Sequence, residues 1–137
     1  MSARAWLRAG LAFLAVAQSA VGCWALLAPR SFFDIPWVGM GMPYNAHLMM
    51  DYGAMSLATS VGLCVGAVTM QRLVVRTALA VYLAFAGPHL LIHVHLLHHL
   101  PAGQRVPLLS ALAAAAVIPL LLLALTGRHA DGGPGRP

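Results

Sequence analysis

The sequence predicts an all-α, polytopic membrane protein built as a bundle of four spanning helices. Of its 137 residues, 61% are hydrophobic and only 8% are charged. Its mean hydropathy of +0.82 is higher than soluble domains of this length reach. Four apolar stretches are each long enough to cross a bilayer, which takes about 20 helical residues. We expect these helices over residues 5–28, 44–70, 74–100 and 106–126.

Short turn-forming or charged segments separate the four stretches, at residues 29–30, 41–43, 71–72 and 101–105. Because they leave no room for a soluble domain, we predict a single four-helix domain over residues 1–127. Residues 128–137 are rich in glycine and proline, and we expect them to form a disordered cytoplasmic tail.

The basic residues, all of them arginine, predict the orientation. Only Arg30 and Arg105 lie on one side of the predicted spans. The other six lie on the opposite side: Arg4, Arg8, Arg72, Arg76, Arg128 and Arg136. Since positive loops stay in the cytoplasm, both termini and the middle loop should be cytoplasmic. The absence of lysine and glutamate, with many alanines and arginines, suggests a GC-rich bacterial genome, and we therefore expect the bacterial cytoplasmic membrane. The scattered arginines form no basic patch, so we expect a lipid bilayer as partner and no nucleic acid.

Ionisable side chains gather at one end of the predicted bundle. His47 and Asp51 stand one turn apart near the start of the second span. Five histidines crowd the end of the third: His89, His93, His95, His98 and His99. Ionisable groups at membrane depth are costly, so they mark candidate functional sites. The segment 31–37 alternates bulky apolar and polar residues, and we expect it to cover this site.

Helical geometry predicts which of these residues meet. At about 1.5 Å rise per residue, Asp51 and His93 fall at one depth, with His47 and His95 one layer above. Small residues continue the side of the second span that carries His47 and Asp51: Ala54, Ala58 and Gly62. Because small residues let helices approach, we expect that side to face the bundle interior. On the third span, His89 and His93 share a stripe, and His95 joins them only if the last turns unwind.

These residue types suggest a metal or cofactor site. Imidazoles with a carboxylate suit copper, iron or zinc, and inward-facing bundle residues commonly hold such ions. The candidate metal ligands are His47, Asp51, His89, His93 and His95. Without His95, the same residues could hold a haem, with two histidines as axial ligands. Methionines at the same end would favour copper(I), or else serve as apolar filler: Met40, Met42, Met49, Met50 and Met55.

Two other functions remain open. The protein could be a non-catalytic scaffold whose Asp–His network only fixes helix packing. It could also be a small transporter or a proton relay. The sequence has no phosphate-binding loop, nucleophile elbow, CxxC pair or lysine, which favours a role other than enzyme.

The runs 43–53 and 88–95 resemble small four-helix bacterial membrane proteins, common in actinobacteria and loosely DoxX-like. The positions that carry the resemblance are Asn45, His47, Asp51, Gly53, His89 and His93. Ala46 stands where many of those proteins have an acidic residue. The resemblance implies the fold, the place of the site, and a role as an accessory subunit of a redox complex. A membrane redox partner or a homo-oligomer would accompany that role. It implies no reaction.

Overall fold

The computed structural model describes residues 2–127, and it confirms the all-α, four-span architecture. Four long helices are apolar enough to cross a membrane: α1 (Ala3–Leu27), α4 (Ala46–Thr69), α5 (Arg72–His95) and α6 (Ala102–Gly127). Two short helices follow α1, namely α2 (Pro29–Phe33) and α3 (Pro36–Gly39). A single 3-10 turn, Leu97–His99, follows α5. Within residues 2–127 there is no β-strand. The predicted tail over 128–137 lies outside the described residues.

The four long helices run alternately up and down. α4 packs against α1 and α5, and α6 packs against α5 and α1, which closes the ring. One end of the bundle holds the start of α1, the α4–α5 turn and the end of α6, and we call it the Arg end. The opposite end holds α2, α3 and the α5–α6 connection, and we call it the His end. The main apolar core fills the half nearer the Arg end, around Leu11, Leu63 and Leu79.

Local signals set the ends of α4. The Asn45 side chain accepts a hydrogen bond from the backbone N–H of Leu48 at 3.1 Å, which caps the first turn. The helix therefore begins at Ala46, two residues later than predicted. At the other end Met70 adopts a left-handed conformation with φ 51°, which stops the helix. Only Met70 and Gln71 separate α4 from α5, so the two helices form a tight antiparallel hairpin.

The close contact between α1 and α4 depends on two glycines. A Cβ added to Gly53 would lie 2.6 Å from the backbone N of Leu26 and 2.8 Å from the carbonyl O of Gly22. A Cβ added to Gly22 would lie 3.0 Å from the Gly53 carbonyl O. The two helices therefore pack backbone to backbone, as small residues allow in membranes. The buried face of α4 runs from Gly53 through Ser56 and Ser60 to Leu63.

The third span is shorter than predicted. α5 ends at His95 instead of reaching residue 100, and the chain continues in a 3-10 turn. In that turn the backbone N–H of His99 donates a hydrogen bond to the carbonyl O of Leu96. The N–H of Leu100 donates one to the carbonyl O of Leu97. The reason is Pro101, which lacks an N–H donor and disfavours helical geometry at the residue before it. Pro101 also moves the start of α6 to Ala102, ahead of the predicted residue 106.

Candidate functional site

A cavity of about 420 Å³ lies at the His end, lined by all four spanning helices and by α2 and α3. Its polar lining comes from α4 and α5, as Tyr52, His89 and His93. Around these lie apolar and sulfur-containing side chains, among them Val21, Trp24, Phe32, Trp37, Met49 and Leu108. A second cavity of about 360 Å³ shares Tyr52 and His89 with the first and extends to Gln18 and Tyr82. The half of the bundle that lacks the main core therefore contains two cavities, each partly open to its surroundings.

His89 and His93 form the centre of the site. They stand one turn apart on α5, and their ring centroids are 4.6 Å apart in an edge-on arrangement. His93 is buried, with 9% of its surface exposed. Its Nδ1 atom is buried and has no hydrogen-bond partner among the described residues. Since buried polar atoms are nearly always satisfied, this atom needs a partner from outside the protein, such as a water molecule or a bound ligand.

An aromatic stack holds His89 in place. The Phe85 ring lies 4.9 Å from the imidazole centroid, and the Tyr52 ring lies 6.2 Å from it, both nearly parallel to it. Phe32 of α2 stacks on Tyr52 at 5.8 Å, and Trp24 packs edge-on against Phe32 at 5.6 Å. Aromatic pairs of this kind contribute about 0.5–1.5 kcal/mol each beyond their buried area. The stack therefore connects the cover of the site to the imidazole pair.

The segment predicted to cover the site does so, as two short helices. Pro29 and Pro36 stand at the first positions of α2 and α3, where a proline is favourable because its missing N–H has no partner there anyway. Phe32 is buried, and both helices contribute to the cavity wall. The Nε1 of Trp24 donates a hydrogen bond to Ser31 Oγ at 3.2 Å, which ties the start of the cover to α1.

His47 and Asp51 lie elsewhere, and the prediction that their side of α4 faces the interior is wrong. Their side chains are 86% and 64% exposed, and His47 Nε2 lies 3.3 Å from Asp51 Oδ2. The reason is the glycine contact: Gly53 must face α1, and it lies two residues, or about 200°, around the helix from Asp51. The pair joins two residues of one helix, so it does not connect α4 to another helix.

The five predicted ligands therefore do not converge. Within residues 2–127 no three His, Cys, Asp or Glu side chains come close enough to hold one metal ion. His95 is exposed, because the helix unwinds only after it and leaves its side chain outside the cavity. His98 and His99 are also exposed at the boundary, with ring centroids 4.1 Å apart. Of the predicted set, the structure brings together His89 and His93.

The structure also distinguishes the five methionines of this end. Met49 lines the cavity beside Tyr52, on the inward side of α4. Met40 is buried in a small separate cluster with Leu100 and Leu108. The remaining three, Met42, Met50 and Met55, are exposed. The sequence analysis named Met49 only as one of five methionines and did not predict that Tyr52 lines the site. Gly53 could have predicted which side of α4 faces inward, because residues 49, 52, 53 and 56 share one helical face.

Compared with known proteins, the chain matches no family model, no curated protein and no solved structure. The chemistry of the cavity is therefore inferred from its own residues.

Proposed function

We propose that this membrane protein binds a transition-metal ion, copper(I) in the first place, in the His-end cavity. His89 and His93 would supply two imidazole nitrogens, and Met49 a thioether sulfur. The observation that carries the proposal is the imidazole pair at one-turn spacing, inside a cavity that Met49 also lines. Two histidines at this spacing are a recurrent way for one helix to present two ligands to one ion. The unpartnered Nδ1 of His93 supports a ligand at this point.

Copper(I) suits these donors better than zinc or iron. Thioether sulfur selects copper(I), and imidazole also binds it. Zinc sites use at least three protein ligands, and non-haem iron sites typically add a carboxylate to two histidines. The described residues bring no carboxylate or third histidine to the pair. Asp51, the acidic residue of the spans, is paired with His47 on the exposed side of α4.

A haem held by two histidines does not fit this site. Axial ligands bind on opposite faces of the macrocycle, so they come from groups that face each other across it. His89 and His93 project from the same face of one helix, and their rings are only 4.6 Å apart. There is no room for a macrocycle between them. His47, the candidate partner on α4, is exposed.

A metal in this place suits an accessory role in a membrane redox complex. The cavity is mostly apolar, and such surroundings control solvent access to a metal and tune its potential. The predicted orientation would place the His end on the outer side of a bacterial cytoplasmic membrane. The DoxX-like resemblance of the sequence implies the same kind of role. A membrane redox partner, or a second copy of the chain, would exchange the electron.

Copper(I) titration of the purified protein tests the proposal. The full chain in mild detergent, kept reduced, should bind one copper(I) per chain in competition with a chromogenic chelator. Met49→Leu should weaken binding, because it removes the thioether while keeping the volume. Met50→Leu is the matched control, since Met50 is exposed, and it should bind as the wild type does. A wild-type protein with no affinity for copper, zinc or iron would show the proposal to be wrong.

The size of the cavity supports a second candidate function, binding of a small apolar organic molecule. A single ion fills a small part of 420 Å³, whereas cavities for organic ligands measure roughly 300–1,000 Å³. Mass spectrometry of organic extracts of the purified protein would detect such a molecule. Ala111→Leu should expel it, because Ala111 lines both cavities. Ala114→Leu should not, because Ala114 lies on the same helix outside both cavities. If the two variants retained equal amounts of the organic molecule, this function would be contradicted.

A further inference from the structure

The Arg end contains a cavity of its own, separate from the proposed metal site. It has a volume of about 250 Å³ and is lined by Arg4, Leu7, Met70, Arg72, Val75 and Thr126. These residues come from α1, α5, α6 and the turn that ends α4, so the cavity lies where all four spans meet. The two arginines are contributed by the first turns of α1 and α5.

The charge of this end is positive and unbalanced within residues 2–127. Arg4, Arg8, Arg72 and Arg76 all lie here. The acidic residues among those described, Asp34 and Asp51, are both at the His end, paired with Arg30 and His47. The helix dipoles do not change this balance, because the N-termini of α1 and α5 lie beside the C-termini of α4 and α6. The cavity is therefore suited to an anion.

An apolar groove leads from this basic cavity along the outside of the bundle. Arg4 also lines a shallow cavity that reaches Arg8 and Ala9. Ala9 in turn lines a groove of about 550 Å³ between α1 and α6, whose other walls include Trp6, Phe13 and Leu121. A basic cavity followed by an apolar groove matches a ligand with an anionic head and a hydrocarbon chain.

We propose that the Arg end binds one anionic phospholipid. Arg4 and Arg72 hold its phosphate, and one acyl chain lies in the groove between α1 and α6. Guanidinium groups bind phosphate oxygens through paired, charge-assisted hydrogen bonds. Basic pockets between spanning helices are known places for lipid head groups. A free phosphate ion would use the cavity alone and leave the groove unused.

Lipid binding to the delipidated full chain in detergent tests this site. Phosphatidylglycerol should bind at least about fivefold more tightly than phosphatidylcholine, because each arginine near an anionic head group contributes about that factor and the choline of phosphatidylcholine offsets the charge of its phosphate. Arg72→Gln should lower the phosphatidylglycerol affinity by about fivefold, and Arg72→Lys should keep most of it. Arg76→Gln is the matched control, with the same charge change on the same helix but outside the cavity, and should leave the affinity unchanged. Ala9→Trp should weaken binding by filling the groove.

Three outcomes would overturn the proposal. Equal affinities for phosphatidylglycerol and phosphatidylcholine would indicate general solvation by lipid. If Arg72→Gln and Arg76→Gln lowered the phosphatidylglycerol affinity equally, the effect would come from overall charge and not from this cavity. Thermal stabilisation by inorganic phosphate as large as that by phosphatidylglycerol would indicate a free-anion site. A lipid site would be supported if Arg76→Gln kept the phosphatidylglycerol affinity while Arg72→Gln and Ala9→Trp both lowered it.

Discussion

Two pairs of polar residues in this protein have the same spacing and opposite environments. His47 and Asp51 stand four residues apart on α4 and lie on its exposed surface. His89 and His93 stand four residues apart on α5 and line the cavity of the His end. Spacing decides only that two side chains share a helical face. The neighbouring helix decides which face is buried, and on α4 that choice is made by the contact between Gly53 and Gly22.

The largest expected difference between the pairs concerns copper. His93→Ala should abolish copper(I) binding and His89→Ala should do the same, because each removes half of the imidazole donors. His47→Ala should leave the stoichiometry and the affinity unchanged, since its side chain is 86% exposed and outside the cavity. The copper content of each variant after loading and dialysis measures this difference. Loss of copper in His47→Ala would mean that the two pairs act together, as the sequence predicts.

The glycine contact can be tested against the neighbouring alanine. Gly53→Leu should lower the free energy of unfolding by about 1–3 kcal/mol or more, because its side chain would meet the backbone of α1. Ala54→Leu introduces the same side chain one residue later, on the exposed side, and should change stability by less than about 0.5 kcal/mol. Thermal unfolding in detergent compares the two. A larger effect at Ala54 would show that α4 is rotated toward the orientation predicted from sequence.

The stack around His89 should have a smaller effect. Phe85→Ala removes the ring that packs 4.9 Å from the imidazole and leaves both ligands in place. The copper affinity should fall by up to about tenfold, in line with about 0.5–1.5 kcal/mol for such a contact. The competition assay with the chelator measures this change. An unchanged affinity would indicate that His89 is positioned by the helix alone.

The smallest effect is expected at the exposed pair. Asp51→Asn should change the free energy of unfolding by about 0.5 kcal/mol or less, because exposed pairs at this helical spacing contribute little. The amide can also replace part of the same hydrogen bonding. Thermal unfolding at low and high salt measures this change in free energy and shows whether salt screens it. A loss of several kcal/mol would mean that the carboxylate has a buried partner.

The sequence predicts the number, order and approximate limits of the spans, because bilayer crossing requires length and apolarity, and both are properties of single segments. It also predicts that His89 and His93 share one side of the third span, since a helical stripe is a local feature. The rotation of α4 could not be obtained in the same way. Small residues lie on two sides of α4, and either side could pack against a neighbouring helix. Only the contact with Gly22 of α1 shows that the side of Gly53 is buried and not the side of Ala54 and Ala58. A contact between two segments is not visible in either segment alone.

The loss of His95 from the site has a different cause. The prediction required the last turns of the third span to unwind, and they do, but after His95 and not before it. Pro101 acts on the residues next to it, so its effect on the backbone extends only as far as the 3-10 turn. Tyr52 was not predicted, because the ionisable residues of α4, His47 and Asp51, lie on the other face of the helix.

α6 forms one wall of the His-end cavity through Leu108, Ala111 and Leu112. It is also the last of the four spans to leave the ribosome. During synthesis the imidazole pair of α5 therefore enters the membrane while its cavity is still open on that side. The cavity is complete only after α6 has been inserted and has packed against α1. Loading of the proposed metal into the complete cavity would therefore be a late step of maturation in the membrane, after the insertion of the earlier helices.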